Sequence, residues 1–145
     1  MKPLYKGSCL CGAIQYEIDA FHDKIAHCHC SMCRKFHGAA YATIAGVDSD
    51  QFRWTQGEAF LKPYTAANGT IRKFCINCGS SMTFSSPKAS QDCIEIALGT
   101  LDSELDIRPD AHIFVGSKAN WSVLCDDMPQ YIEDRKSKKI ARDEG

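Results

Sequence analysis

The stretch Cys28-His29-Cys30-Ser31-Met32-Cys33 decides how the rest of the chain is read. In an extended segment side chains alternate between faces, so Cys28 and Cys30 share one face while His27 and His29 share the other. The Ser31-Met32 spacer lets Cys33 fold back beside the first two sulfurs. Zinc takes four ligands, and a site with only three protein donors keeps a coordination position for water or substrate. Two further pairs frame this cluster, Cys9 with Cys11 upstream and Cys75 with Cys78 downstream.

The chain carries nine cysteines in 145 residues. An odd count, clustering at one- and two-residue spacings and the lack of an apolar core in Met1–Ser8 all speak against a secreted disulfide scaffold. Closely spaced cysteines suit a metal's geometry far better than they suit bridges to one another. Reduced, metal-bound thiolates in a soluble, cytoplasmic protein are the expectation. No run approaches the ~20 apolar residues that span a bilayer, so no membrane partner is expected. The formal charge of −1 leaves no electrostatic footprint for nucleic acid. The length fits one domain, and the sequence leaves the oligomeric state open.

Ligand counting sorts the clusters, because closed structural sites take four protein donors and open catalytic sites take three. Cys9, Cys11, Cys75 and Cys78 make a closed set, leaving Cys28, Cys30 and Cys33 as an open one. Spacing alone also permits a mixed set such as Cys9 and Cys11 with Cys28 and Cys30. The second cluster can equally be closed and purely structural, completed by a histidine. Strand alternation disfavours His27 and His29 in that role, whereas His37, four residues after Cys33, remains a candidate. Cys93 and Cys125 have no partner cysteines nearby and read as ordinary small residues.

The remaining pattern is that of short strands. Ile14, Tyr16 and Ile18 alternate with polar or small residues, as do Phe52 and Trp54 further on, and Gly57 breaks that second run. Arg34–Gly38 reads as a helical turn before a small apolar strand from Ala39 to Val47. Pro63 places the strand Phe60–Thr65 at an edge or a bulge. Asn68-Gly69 predicts a two-residue hairpin turn into a returning strand, Thr70–Phe74. Gly79 suits the positive φ of a zinc knuckle. Met82–Phe84, Cys93–Leu98 and His112–Val115 complete the set. The result is a mostly β domain over residues 5–133, followed by a polar tail, 134–145, expected to fray.

Those clusters, with Gly7-Ser8-Cys9-Leu10-Cys11-Gly12, Phe74-Cys75-Ile76-Asn77-Cys78-Gly79, Leu98-Gly99-Thr100-Leu101-Asp102, Pro109, His112-Ile113-Phe114 and Trp121, resemble the glutathione-dependent formaldehyde-activating enzyme family. The resemblance implies a single zinc-stabilised domain of two folded antiparallel sheets, shared with a small zinc-binding chaperone of Rab GTPases. It implies two zinc ions per chain, a structural one on Cys9, Cys11, Cys75 and Cys78 and a catalytic one on Cys28, Cys30 and Cys33. It further implies a carbon–sulfur lyase that joins glutathione, as cosubstrate, to formaldehyde. A branch resembling centromere protein V associates with chromatin and microtubules, so the scaffold alone does not dictate one role.

Under the enzyme reading a small-molecule thiol meets an aldehyde at the three-cysteine site. His37 is then the candidate proton shuttle. Arg34 and Lys35 are the candidates for binding the carboxylates of glutathione, with Lys118 as a weaker choice. Trp121 and Phe36 are candidate pocket walls. The competing readings are a zinc-stabilised protein-binding module and a glutathione carrier without turnover.

Overall fold

The computed structural model of the protein describes residues 4–88 and 91–140. Its strands, in chain order, are β1 (Tyr5–Ser8), β2 (Gln15–Ile18), β3 (Ile25–Cys28), β4 (Ala42–Asp48), β5 (Phe52–Gln56), β6 (Leu61–Thr65), β7 (Ile71–Cys75), β8 (Ser81–Ser85), β9 (Cys93–Ala97) and β10 (Ala111–Ile113). One short α-helix among the described residues, α1 (Ser31–His37), follows β3. The protein is therefore mostly β, with two sheets. No helix among the described residues is long and apolar enough to cross a membrane. Contacts sort the chain into two compact units: one holds the described residues up to Asp23 together with Ala45–Ile107, the other Lys24–Ile44 and the chain from Arg108 onward.

In the first unit β1, β2 and β5 form an antiparallel sheet in that order. The alternation of Tyr16 and Ile18 is realised here, since both are buried. Tyr16 stacks on Phe52 at 5.4 Å between ring centroids and meets Trp54 edge-on at 6.0 Å. The strands β9, β8, β7 and β6 also lie in this unit, with β6 outermost. Pro63, which lacks an N–H, lies on that outermost strand, opposite Lys73.

The turn joining β6 to β7 differs from the two-residue hairpin expected at Asn68-Gly69. The last paired residues are Thr65 and Ile71, so the loop is longer. Ala66 N–H donates to the Thr70 carbonyl at 2.8 Å, Gly69 N–H to the Ala66 carbonyl at 2.9 Å, and Thr70 N–H to Asn68 Oδ1 at 3.0 Å. The asparagine side chain thus closes a turn inside the loop instead of capping the strands directly.

The second unit holds β3, β10 and the beginning of β4. Here the expected antiparallel arrangement needs correction, because β10 runs parallel to β3 with Ala111 opposite Ala26, His112 opposite His27 and Ile113 opposite Cys28. A parallel pair requires a long connection between its strands, and the chain from His29 to Asp110 supplies it. The segment 134–140, expected to fray, is tied down. Ile132 N–H donates to the Lys138 carbonyl at 2.9 Å and Ile140 N–H to the Gln130 carbonyl at 2.7 Å, while Arg135 forks onto both oxygens of Asp110 at 2.7 and 3.0 Å. Residues 141–145 of the polar tail lie outside the described residues.

Candidate metal centre

The first unit assembles four sulfurs. Cys9, Cys11, Cys75 and Cys78 place their Sγ atoms within 4.8 Å of one another, with Cys9 to Cys11 at 3.6 Å and Cys11 to Cys75 at 3.9 Å. A tetrahedral zinc–thiolate centre with bonds of about 2.3 Å has sulfurs about 3.8 Å apart, so the donor set fits that ion. Each pair sits on a tight turn. Gly12 N–H donates to the Cys9 carbonyl at 3.0 Å, and Gly79 N–H to the Cys75 carbonyl at 2.8 Å. Gly79 has φ +80°, as its place in the knuckle predicted, a conformation that costs side-chain-bearing residues.

Outside the sulfurs, Ser80 joins the two halves: its hydroxyl accepts from Leu10 N–H at 2.9 Å and lies 3.2 Å from Cys78 Sγ. That hydroxyl, with neighbouring backbone hydrogen bonds, draws the Cys78 thiol down to about 5 against the opposing effect of burial. A backbone hydrogen bond from Ala13 pulls Cys11 down, but burial and the thiols of Cys9, Cys78 and Cys75 outweigh it and leave Cys11 at about 11. The Gly99-Thr100-Leu101-Asp102 stretch braces the strands beneath. Asp102 accepts from Ser8 Oγ at 2.6 Å, and the hydroxyls of Thr100 and Tyr16 lie 2.7 Å apart.

Three sulfurs converge in the second unit. Cys28 ends β3, Cys30 is the N-cap of α1 and accepts from Cys33 N–H at 3.2 Å, and Cys33 lies buried in the helix. Their Sγ atoms also lie within 4.8 Å of one another. Hydrogen bonding to Cys30 and Cys33, then burial, pushes the Cys28 thiol far above its ordinary value. A soft trithiolate set of this size suits zinc. Gly38 ends the helix in the left-handed region and returns its N–H to the Arg34 carbonyl, which turns the chain back towards β4.

No histidine joins the three sulfurs among the described residues. His27 and His29 face away from them as strand alternation predicted: His27 Nδ1 lies 2.8 Å from Thr43 Oγ1, and both rings pack on Tyr41 and His112. His37 closes α1 with its ring against Phe36. Cys28 and Cys30 group with Cys33, not with Cys9 and Cys11. Arg34 keeps its Nε buried without a partner, while Lys35 is exposed. Lys118 donates to the carbonyls of Ser122 and Ala119 at its own loop.

The residues packed on the tripod were missed by sequence reasoning. They are Ile44, Ile113 and Phe114, whereas Trp121, expected as a pocket wall, is 68% exposed. Phe114 has φ +56°, a rare conformation for an aromatic residue, and strain of this kind gathers at functional sites. The neighbouring His112 stood in the sequence only among the residues that carry the family resemblance, without a role. Cys93, read as an ordinary small residue, lines a concavity of the first unit with Trp54, Lys73 and Phe84, far in sequence from any tripod residue.

The sequence profile of the glutathione-dependent formaldehyde-activating enzymes matches residues 4–117. The chain belongs to that family. It is 28% identical over 126 residues to a Halomonas elongata protein named a putative glutathione-dependent formaldehyde-activating enzyme, covering 81% of this chain and 79% of that one. A Schizosaccharomyces pombe protein named an uncharacterized lyase is 27% identical over 82 residues, 57% of this chain and 58% of that one. For this second relative the match spans less than two thirds of its length. A crystal structure of a Rhodobacter sphaeroides protein shares the fold, with a TM-score of 0.58 at 23% identity over 70% of this chain and 91% of that one. The matched span contains all seven clustered cysteines, the family's likeness and the two sulfur groups thus falling on the same residues.

Proposed function

We propose that the chain joins glutathione to formaldehyde, and splits the adduct in reverse, at a zinc ion held by Cys28, Cys30 and Cys33. The observation that carries this reading is the difference in donor number, four sulfurs in one group and three in the other. Bound there, zinc would supply a Lewis acid that keeps the visiting thiol ionised. A free thiol of pKa ~8.5 is only a few per cent thiolate at neutral pH, so full ionisation contributes at most about thirtyfold, or ~2 kcal/mol. Positioning must provide the remainder.

The chain's own residues carry that task. Arg34, whose Nε is buried without a partner, is placed one turn after Cys30 to receive a carboxylate of the tripeptide, with exposed Lys35 beside it. Ile44, Ile113 and Phe114 keep water from the reacting sulfur. His37 lies four residues after Cys33 and thus shares its side of the helix, where it can pass a proton to the aldehyde oxygen as the carbon–sulfur bond forms. The product is the hemithioacetal S-hydroxymethylglutathione.

With zinc-loaded protein, hemithioacetal formation from glutathione and formaldehyde should exceed the spontaneous rate. Cys30→Ser should return it to background, and His37→Ala should lower it by about 100-fold without changing zinc content. Wild-type turnover at the background rate, with glutathione still bound, would leave a thiol carrier in place of an enzyme.

A further inference from the structure

On the face of β3 opposite the cysteines, three polar side chains form a continuous chain. His29 Nε2 lies 2.9 Å from His112 Nδ1, and His112 Nε2 lies 2.8 Å from Asp126 Oδ2. The other oxygen of Asp126 accepts from Met128 N–H at 3.0 Å, which fixes the carboxylate. His29 and His112 are 0% and 1% exposed, whereas the Asp126 side chain is 39% exposed.

Donor and acceptor roles follow from one end. An ionised carboxylate only accepts, so His112 Nε2 carries the proton and, in the neutral ring, His112 Nδ1 accepts. His29 must then donate from Nε2, which leaves its Nδ1 bare. That atom is buried and has no hydrogen-bond partner. A ring held this firmly at one nitrogen while the other goes unmatched is oriented for a reason other than its own satisfaction.

His29 sits between two of the three clustered cysteines. Its backbone N–H is also held, donating to the Ile113 carbonyl at 2.9 Å. The residue is thus pinned at both main chain and ring, and the peptide units on either side lead directly to Cys28 and Cys30.

We propose that Asp126, His112 and His29 are positioning residues that preassemble the Cys28–Cys30–Cys33 tripod by fixing the backbone between its first two sulfurs. The inference rests on reading the tripod as a metal site. It assigns a role to the buried histidine face, and that role predicts selectivity. Loss of the Asp126 anchor weakens metal binding at the tripod and leaves the four-sulfur group untouched, because none of the three residues belongs to the unit that holds it.

The test is a cobalt titration of the reduced full-length chain, followed by thiolate-to-metal absorption and by competition with a chromogenic chelator. Wild type should bind two equivalents. Asp126→Ala should weaken one of them about tenfold and leave the other unchanged. Asp126→Asn keeps one oxygen that accepts from His112 Nε2–H but sets its NH2 against Met128 N–H, so it should weaken the same equivalent by less than Asp126→Ala does. Long-range nitrogen NMR of the wild type should place the protons of both His29 and His112 on Nε2. A single wild-type equivalent would defeat the metal reading and this inference with it. Two equivalents in wild type, with Asp126→Ala unchanged or with both weakened together, would overturn the inference alone, as would a proton on Nδ1 of His29.

Discussion

The two sulfur groups are built from the same residue type at similar spacings, yet their surroundings differ. The four-sulfur group is drawn from two knuckles on separate parts of the chain, Cys9-Leu10-Cys11 and Cys75-Ile76-Asn77-Cys78, and Ser80 ties those parts together through Leu10 N–H and Cys78 Sγ. The three-sulfur group comes from one short stretch, is packed by Ile44, Ile113 and Phe114, and has a buried polar network behind it. A metal in the first stitches distant segments and so acts on folding. A metal in the second would sit on a locally formed strand-to-helix turn, which under the proposed function leaves its donor set to chemistry.

The largest expected difference is in stability. Structural zinc contributes an apparent ~10–16 kcal/mol in small metal-dependent domains, comparable to or above the ~5–15 kcal/mol by which whole domains are stable. Cys75→Ser should therefore abolish cooperative melting of the first unit by circular dichroism. Cys30→Ser should leave that transition within a few degrees of wild type while removing turnover. Equal losses of structure in the two variants would erase the distinction.

Next in size are two left-handed glycines, Gly79 at the four-sulfur group and Gly38 at the end of α1. Gly79 has φ +80° and Gly38 φ +60°, with nothing within 4 Å of an added Cβ at either, so the cost of a side chain is conformational alone. Alanine at each should cost about 1–2 kcal/mol in denaturant midpoint. Only Gly38→Ala, at the end of α1, should also weaken the metal held by the tripod. Phe114 separates strain from contact at the same centre. Glycine accepts φ +56° freely, so Phe114→Gly should be about 1 kcal/mol more stable than Phe114→Ala. Both should raise the KM for glutathione alike, because both remove the ring.

Much of this was legible because metal sites are local in sequence. Spacing alone left a mixed set open, whereas counting donors favoured Cys9 and Cys11 with Cys75 and Cys78, and Cys28, Cys30 and Cys33 by themselves, and the sulfurs are grouped that way. The alternation that turned His27 and His29 away from the sulfurs was equally local. What the sequence hid was set by long-range pairing. Nothing near His112 announces that β10 lies parallel to β3, and only that register brings His112 to His29 and Ile113 to the tripod. Trp121 was a candidate pocket wall against the commoner core reading of an aromatic residue, and it is exposed, while Phe114 carried no role because a positive φ leaves no mark in composition. The segment 134–140 read as a tail since its charges hide a hydrogen-bond partner, Gln130, and an ion-pair partner, Asp110.

The smallest expected effect concerns that last contact. Burial pushes the Asp110 carboxyl up, but the Arg135 guanidinium and backbone hydrogen bonds outweigh it and hold it below its ordinary 3.8. A carboxyl depressed in the folded state stabilises the protein above its unfolded value, and that contribution fades as pH falls from about 3.8 through the lower folded value. Arg135→Ala should cost under about 1 kcal/mol at neutral pH, since the pair is partly exposed and screened by salt, and the difference from wild type should vanish in strong acid. Hydrogen exchange should quicken at Ile132 and Ile140 in the variant, whose amides donate within this segment, and stay constant in the first unit.

The central claim is that three sulfurs hold a metal with one position open, and glutathione binding to cobalt-loaded protein tests it most directly. The account predicts that adding glutathione to the freshly reduced, two-cobalt protein raises thiolate-to-cobalt absorption by one sulfur's worth, and that Cys30→Ser loses the increase. An absorption spectrum unmoved by saturating glutathione, in protein carrying both metals, would contradict it.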